Sequence, residues 1–153
     1  REKGGAILLI DHGVAVVREV CDRIVVMYAG RIVEEIASHR LAEDAQHPYT
    51  RALIAAVPDM ATPLDRPLAT IPGRPIDPAR VPEGCAFAAR CPFATERCIV
   101  EDPALQEVEP VEGDRPGAPQ RVACWNPVTT PAARRRAEAP ATTSALSVVE
   151  VER

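Results

Sequence analysis

Four of the five cysteines are spaced so that they could bind one metal centre. Cys85, Cys91 and Cys98 lie close together and Cys124 follows after a proline-rich stretch, which gives the pattern C-x5-C-x6-C-x25-C. This pattern lacks the paired C-x2-C motif with which a tight turn presents two thiolates to one zinc ion. An iron–sulfur cluster also takes four thiolates, and because it is larger than a single ion, its ligands can come from wider loops. The spacing therefore favours an iron–sulfur cluster.

Other interpretations of the cysteines stay open. Zinc ranks second, and disulfides or unliganded thiols rank third, because five cysteines leave one unpaired. Cys21 is set aside as a ligand, since it falls on the apolar face of a predicted helix, where a free cysteine is an ordinary small hydrophobic residue. His39 and His47 are further candidate ligands, although a role at the start of a helix is the simpler interpretation of His47.

Composition and charge argue against several classes of function. The chain has 153 residues and a net charge of −4, so it lacks the basic character that nucleic-acid binding requires, and no nucleic-acid partner is expected. Its longest apolar run falls far short of the roughly 20 residues that cross a bilayer. Hydrophobic residues make up 46% of the chain but aromatic residues only 3%, so a large independent core is not expected. Because the chain starts at Arg1 rather than at methionine, we expect it to be part of a longer protein.

The beginning of the chain has the pattern of an α/β fold. Residues 6–10 form a short continuous apolar run, which predicts a buried central strand of a parallel sheet. His12 follows at the carboxyl end of this predicted strand, where open α/β sheets bind their ligands. Apolar residues at helical spacing then predict a short amphipathic helix over residues 14–20.

A hairpin and two helices are predicted next. Residues 23–28 and 31–34 have strand patterns, and Gly30 between them supplies a permissive turn residue. Two further helices are predicted over residues 38–45 and 48–57. The second of these starts at a proline, whose missing N–H costs nothing in the first turn of a helix.

Proline marks a change in the character of the chain. Fifteen of the 16 prolines follow Val57, so a regular first part is predicted to give way to an irregular remainder. A segment rich in Thr, Ala, Pro and Arg then predicts a disordered linker, and a final alternating pattern predicts a strand. The predicted segments are residues 1–57 (regular), 58–127 (cysteine-containing), 128–147 (linker) and 148–153 (strand).

Several motifs together resemble one transporter family. The segments concerned are residues 8–12, 20–34, 47–53, 71–73, 85–98 and 122–124. The first two resemble the end of the ATPase domain of ABC transporters of the oligopeptide/dipeptide importer type. The His-Pro-Tyr sequence that starts at His47 is similar to the C-terminal hallmark of that subfamily, and the later segments are similar to its tail. The resemblance covers roughly residues 5–127.

This resemblance implies an α/β fold in which the C-terminal end of a P-loop ABC ATPase lobe precedes a loop-rich cysteine domain and a disordered linker. It also implies that His12 is the switch histidine, which contacts the γ-phosphate of ATP and helps position the attacking water. Without the resemblance, a histidine that only ends a strand would be the commoner case. The family usually has Thr or Ser before this histidine and Asp after it, whereas this chain has Asp11 and Gly13.

The resemblance also implies cofactors and partners. In several family members the tail cysteines hold a 4Fe–4S cluster, which is carried over here to Cys85, Cys91, Cys98 and Cys124, with zinc as the alternative. ATP and Mg²⁺ are expected in the parent protein, because this chain lacks a G-x-x-x-x-G-K-S/T loop. The implied partners are membrane-spanning permease subunits, a second ATPase domain or subunit and, indirectly, a solute-binding protein.

The resemblance also leads to expectations about location, a further domain and function. The parent protein is expected at the cytoplasmic face of the inner membrane. Residues 148–153 are expected to form the first strand of a second ATPase domain. The leading function is that of the C-terminal part of a nucleotide-binding subunit for peptide import. The alternatives are a stand-alone iron–sulfur or zinc-binding module without ATPase activity and a purely structural docking tail.

Overall fold

The computed structural model describes residues 5–58, 69–77, 79–108 and 119–128. A β-hairpin lies at the centre of the described part, where β1 (Arg23–Tyr28) pairs antiparallel with β2 (Arg31–Ala37). Ala29 and Gly30 between the strands both have positive φ, at 48° and 79°. Positive φ at two successive residues is typical of the tight turn whose twist matches that of the flanking strands. The predicted hairpin is confirmed.

The cysteine-containing segment adds two short strands to this hairpin. β3 (Gln106–Glu107) and β4 (Arg121–Val122) extend the sheet in the order β1-β2-β4-β3, and all neighbouring strands are antiparallel. The described residues thus form a mixed α/β fold with a four-stranded antiparallel sheet. β3 and β4 were not predicted from the sequence, because a strand of two residues shows no alternating pattern.

Short helical elements surround the sheet. They are α1 (Val14–Val20), a 3-10 turn (Ser38–Arg40), α2 (Leu41–Asp44), α3 (Pro48–Ala55), a second 3-10 turn (Ala88–Arg90) and α4 (Glu96–Val100). The predicted helices at residues 14–20, 38–45 and 48–57 are confirmed, with ends that differ by two residues or fewer. The second 3-10 turn and α4 were missed, since they lie within the proline-punctuated stretch that predicted only coil.

The hairpin and the cysteine segment share one hydrophobic core. Its buried members are Ile24, Val26, Tyr28, Val33, Ile36, Leu41, Ala45, Ala86 and Phe87. The Phe87 ring lies 5.3 Å from the rings of both Tyr28 and Tyr49, which themselves are 4.6 Å apart. These three aromatic rings join β1, α3 and the cysteine segment across the predicted boundary at residue 58. The division into segments stays a prediction, but the first two pack as neighbours.

The predicted parallel strand at residues 6–10 is wrong for the structure as described. These residues have no strand structure, and the side chains of Ile7, Leu8 and Ile10 are 85% or more exposed. A central parallel strand is stabilised by a strand on each edge and by cover on both faces. No strand among the described residues pairs with this segment. Its backbone therefore has no strand partner there, and most of its apolar side chains are left exposed.

Other predictions fall outside the described residues. The linker lies there apart from Val128, which is buried and donates its N–H to the Gln46 carbonyl at 2.9 Å. The predicted strand at residues 148–153 lies there entirely. None of the helices in the described residues has the length and apolar character that a membrane span requires.

Candidate metal centre

All four cysteines of the predicted set line one small cavity. Cys85, Cys91, Cys98 and Cys124 are joined there by apolar and aromatic side chains, with His47 and Asn126 as polar neighbours. No disulfide links any of the five cysteines. The cavity measures about 10 Å³, which is about the space of one water molecule. Residues that are far apart in sequence are thus brought to one point with thiols as the main polar groups.

The first two thiols are presented by a tight turn. The Ala88 N–H donates to the Cys85 carbonyl at 3.0 Å, and the Cys91 N–H donates to the Ala88 carbonyl at 3.2 Å, so the chain makes a short helical turn between the two cysteines. The Cys85 N–H donates in turn to the Cys98 carbonyl at 2.8 Å. Gly84 lies directly against this contact. An added Cβ at this position would come within 2.5 Å of the Cys98 carbonyl oxygen.

The other two thiols come from α4 and from the end of β4. Cys98 lies in the first turn of α4, and its thiol is hydrogen-bonded to the Thr95 hydroxyl at 3.4 Å. Cys124 follows β4, and the Ala123 N–H before it donates to the Val33 carbonyl of β2 at 2.9 Å. The central hairpin therefore positions Cys124 directly through the sheet.

Hydrogen-bond donors lie next to each sulfur. The Asn126 N–H donates to Cys124 Sγ at 3.4 Å, two residues along the chain. The backbone N–H groups of Phe93 and Phe87 lower the pKa of the Cys91 and Cys85 thiols, respectively. Such donors stabilise negative charge on sulfur and are a common part of thiolate metal sites. This donor set fits a group that is bound by four thiolates.

Burial disfavours the thiolate form of three of the cavity cysteines when no metal is bound. It raises the pKa of Cys91 to about 11 and that of Cys124 to about 12, and it also raises the pKa of Cys85. The negative charge of the neighbouring cysteines raises these pKa values further, whereas the backbone N–H donors lower them. Four thiolates can share this cavity only with a positively charged group between them.

The thiols are not arranged as ligands of a single ion. Among the described residues, no group of three or more Cys, His, Asp or Glu side chains is placed to hold one metal ion. A zinc ion would need its sulfur ligands at about 2.3 Å, which requires the side chains to turn inward. A cluster takes ligands from a wider ring, but the cavity of about 10 Å³ would then have to open. Either group requires the cysteine side chains to move.

His47 lies in the wall of this cavity and starts helix α3. Its Nδ1 accepts the Tyr49 N–H at 3.1 Å, so the imidazole caps the helix, and the predicted role at the helix start is confirmed. Only 1% of the residue is exposed, and burial lowers its pKa to about 4. The ring is neutral at physiological pH with its hydrogen on Nε2, because Nδ1 acts as an acceptor.

Glu34 is a buried residue beside the cavity wall that was not predicted from the sequence. Its carboxylate accepts the N–H of Gln46 at 2.7 Å, the N–H of His47 at 3.1 Å and the side-chain amide of Gln120 at 2.9 Å. Burial raises the pKa of Glu34, although these hydrogen bonds act in the opposite direction. The Thr50 hydroxyl is buried without a hydrogen-bond partner of good geometry among the described residues. A glutamate in a strand pattern gives no signal of burial in the sequence.

The remaining candidate residues lie away from the cavity wall. His12 is exposed in the segment before α1, and the neighbouring Asp11 carboxylate accepts the Gly13 N–H at 2.6 Å. Neither His12 nor Cys21 lines the cavity. Cys21 is half-buried at the end of α1, and its N–H donates to the Val17 carbonyl.

Part of the chain is similar to a family of known proteins. Residues 33–98 match the model described as "Oligopeptide/dipeptide transporter, C-terminal region". Over this region the chain is similar to proteins that are named for peptide transport and ATP binding. The matched region contains most of the hairpin strand β2, all of α3 and three of the four cavity cysteines, while Cys124 lies beyond it.

Individual relatives agree with the family match. A di/tripeptide transport ATP-binding protein of Pseudomonas aeruginosa is 46% identical over 101 residues, which are 66% of this chain and 31% of that protein. A protein of Brucella ovis named for peptide import and ATP binding is 42% identical over 107 residues, 70% of this chain and 34% of its own length. A peptide ABC transporter ATP-binding protein of Sinorhizobium fredii is 42% identical over 123 residues, 80% of this chain and 34% of its own. The chain thus spans about a third of the length of these relatives.

Proposed function

We propose that this chain is the C-terminal part of the nucleotide-binding subunit of an ABC importer, which couples ATP hydrolysis to the uptake of oligopeptides or dipeptides. The observation that carries the proposal is the family match over residues 33–98, together with relatives whose names describe peptide transport and ATP binding. ATP and Mg²⁺ would bind mainly outside this chain, because its sequence has no phosphate-binding loop.

The proposed assembly follows from this function. Membrane-spanning permease subunits would provide the path for the solute, and a second ATPase domain or subunit would complete the nucleotide site. A solute-binding protein would act indirectly by delivering the solute. The protein would then lie at the cytoplasmic face of the inner membrane as a peripheral component. A net charge of −4 gives no support to a nucleic-acid partner.

His12 is proposed as the switch histidine of the complete subunit. Its exposure before α1 leaves the imidazole available to a nucleotide bound by other parts of the protein. An imidazole N–H directed at the terminal phosphate can stabilise charge and orient the attacking water.

In the complete protein, His12→Ala should lower ATP turnover by about 100-fold while ATP binding survives. His39→Ala is the matched control, since His39 is also an exposed histidine. Equal turnover in the His12 variant and the control would contradict this role.

The four cavity cysteines are proposed to hold a 4Fe–4S cluster, with zinc as the alternative. The support is chemical, since four thiols converge and each has a hydrogen-bond donor beside it. When bound, the cluster would supply a covalent staple between the 3-10 turn, α4 and the end of β4. Such a staple stabilises a segment that has little core of its own.

Metal content of the full chain tests the cysteine proposal. After anaerobic preparation, iron and sulfide are expected in a ratio near 4:4, and substitution of any one cavity cysteine by serine should abolish both. Cys21→Ser is the matched control and should keep full iron content, since Cys21 lies outside the cavity wall. Stoichiometric zinc without iron would contradict the cluster and favour the alternative. Loss of iron in Cys21→Ser would contradict the proposed ligand set.

A second candidate function is a metal-binding module without ATPase activity. The specific observation in its favour is that the cysteine segment and the hairpin share one core and one sheet, with α3 packed against that core. The two functions differ in their dependence on nucleotide. Peptide uptake that is lost when His12 or the cavity cysteines are replaced in the complete protein would favour the importer. Full metal binding with no ATP hydrolysis by the complete protein would favour the module.

A further inference from the structure

Asn126 contacts two of the four cavity sulfurs. Its backbone N–H donates to Cys124 Sγ at 3.4 Å, and its side-chain Nδ2 donates to Cys98 Sγ at 3.7 Å. The same Nδ2 also donates to the Phe93 carbonyl at 3.0 Å. Phe93 in turn lies two residues after Cys91, and its backbone N–H lowers the pKa of that thiol. One side chain therefore connects the loop after β4 with α4 and with the turn at Cys91.

The amide is suited to this position in a way that few side chains are. Its NH₂ group carries two hydrogens, and the two acceptors found here use both of them. The opposite orientation would place the amide oxygen against a carbonyl oxygen and a sulfur, which are also acceptors. The hydrogen-bonding partners thus fix the orientation of the Asn126 side chain. Aspartate has nearly the same shape but no hydrogens to donate when it is ionised.

We propose that Asn126 is the positioning residue of the cysteine-bound group: it holds the Cys98 and Cys124 sulfurs in place and stabilises their negative charge with two N–H groups. This inference rests on the proposed metal-binding role of the cavity. Hydrogen bonds to the sulfurs of an iron–sulfur cluster favour its more negatively charged reduced form, so they raise its reduction potential. Removal of the side-chain donor should lower that potential while all four ligands remain.

A redox titration of the full chain, loaded and handled anaerobically, tests the proposal. Asn126→Ala and Asn126→Asp are expected to shift the midpoint potential of the bound cluster to more negative values, with the larger shift for Asp because it adds a negative charge. Both variants keep the backbone N–H to Cys124. Gln106→Ala is the matched control, because it removes an exposed amide from β3, next to β4, without touching a sulfur. Its midpoint potential should equal that of the unchanged protein.

Each outcome decides the proposal. Unchanged potentials in fully loaded Asn126 variants would overturn it, and so would equal shifts in the Gln106 control. A variant whose metal-free and loaded forms lose the same stability, with no change of potential, would show only a structural contact. Failure of the protein without substitutions to take up iron would instead contradict the proposed cluster.

If that protein binds zinc instead, competition with a chelator replaces the redox titration. Asn126→Ala should then weaken zinc binding about 10-fold to 100-fold. Equal zinc affinity would overturn the proposal.

Discussion

Glu34 in β2 accepts a hydrogen bond from the side-chain amide of Gln120 at 2.9 Å, across 86 residues of sequence. The contact joins the central hairpin to the residue that precedes β4 and thereby to Cys124. The Gln120 amide also donates to the Asp44 carbonyl at 2.9 Å, at the end of α2. The buried carboxylate thus organises the elements that support the cavity rather than the cavity itself.

Replacement of Glu34 by alanine should therefore destabilise the fold strongly. It would leave the N–H groups of Gln46 and His47 and the amide of Gln120 buried without their acceptor. Each unpaired buried donor costs about 1–3 kcal/mol, so for three donors we expect a loss of at least about 3 kcal/mol in the free energy of unfolding, as measured by urea denaturation. Glu107→Ala is the control, since Glu107 is exposed in β3, and should change stability by less than about 0.5 kcal/mol. A loss in Glu34→Ala no greater than in the control would contradict this role.

Acid should destabilise the protein through His47. Because burial lowers its pKa from 6.5 to about 4, the unfolded chain binds a proton between these values that the folded chain does not bind. Stability should therefore fall as the pH is lowered from 6.5 to about 4, by up to about 3 kcal/mol from this residue. Urea denaturation at pH 7 and at about pH 4.5 measures the loss.

Comparison with His47→Asn separates this effect from that of the carboxylates. Asparagine retains a side-chain acceptor at the start of α3 but does not titrate. The variant should lose less stability over the same pH range than the unchanged protein. Equal losses in both proteins would show that other groups cause the acid sensitivity.

Local patterns in the sequence predicted the elements that depend on local chemistry. Gly30 indicated the hairpin turn, and the proline at position 48 indicated the start of α3, since both signals arise from backbone geometry. The cysteine spacing likewise indicated a common site, and the four thiols do line one cavity. These features need no knowledge of distant partners.

Features that depend on distant partners were not predicted. The two-residue strands β3 and β4 exist only because β2 offers an edge for pairing, and Glu34 is buried only because Gln46, His47 and Gln120 converge on it. The opposite error occurred at residues 6–10, whose apolar run predicted burial although no neighbour among the described residues covers it. An apolar run shows only that a segment can be buried. Whether it is buried depends on other segments, which its own sequence does not identify.

Alkaline pH should destabilise the metal-free protein through its buried thiols. Burial raises the pKa of Cys91 from 9.0 to about 11 and that of Cys124 to about 12, so the unfolded chain releases these protons at lower pH than the folded chain does. The stability that these thiols contribute is present below about pH 9 and is lost as the pH rises toward these folded values. The unfolding temperature of the metal-free protein should fall between about pH 9 and pH 11.

Metal binding should have the opposite pH dependence, because the metal competes with protons for the thiolates. The affinity for metal should rise over the same pH range in which the metal-free fold weakens. A variant with serine in place of both Cys91 and Cys124 is the control, and its metal-free form should show a smaller fall in unfolding temperature. An alkaline loss that is unchanged in this variant would assign the effect to other groups, such as Tyr49.

Gly84 should be intolerant of any side chain, since it allows two cysteine-bearing segments to approach each other. A Cβ at this position would lie 2.5 Å from the Cys98 carbonyl oxygen and closer still to that of Ile99. Both atoms belong to the backbone of α4, so the two segments would have to separate, and the hydrogen bond from the Cys85 N–H to the Cys98 carbonyl would weaken. We expect Gly84→Ala to cost about 1–3 kcal/mol in urea denaturation and to lower metal retention by the full chain. Gly5→Ala is the control, because a Cβ at Gly5 would meet no atom within 4 Å. Equal stability and equal metal content in the two variants would show that the approach of Cys85 to Cys98 does not support the site.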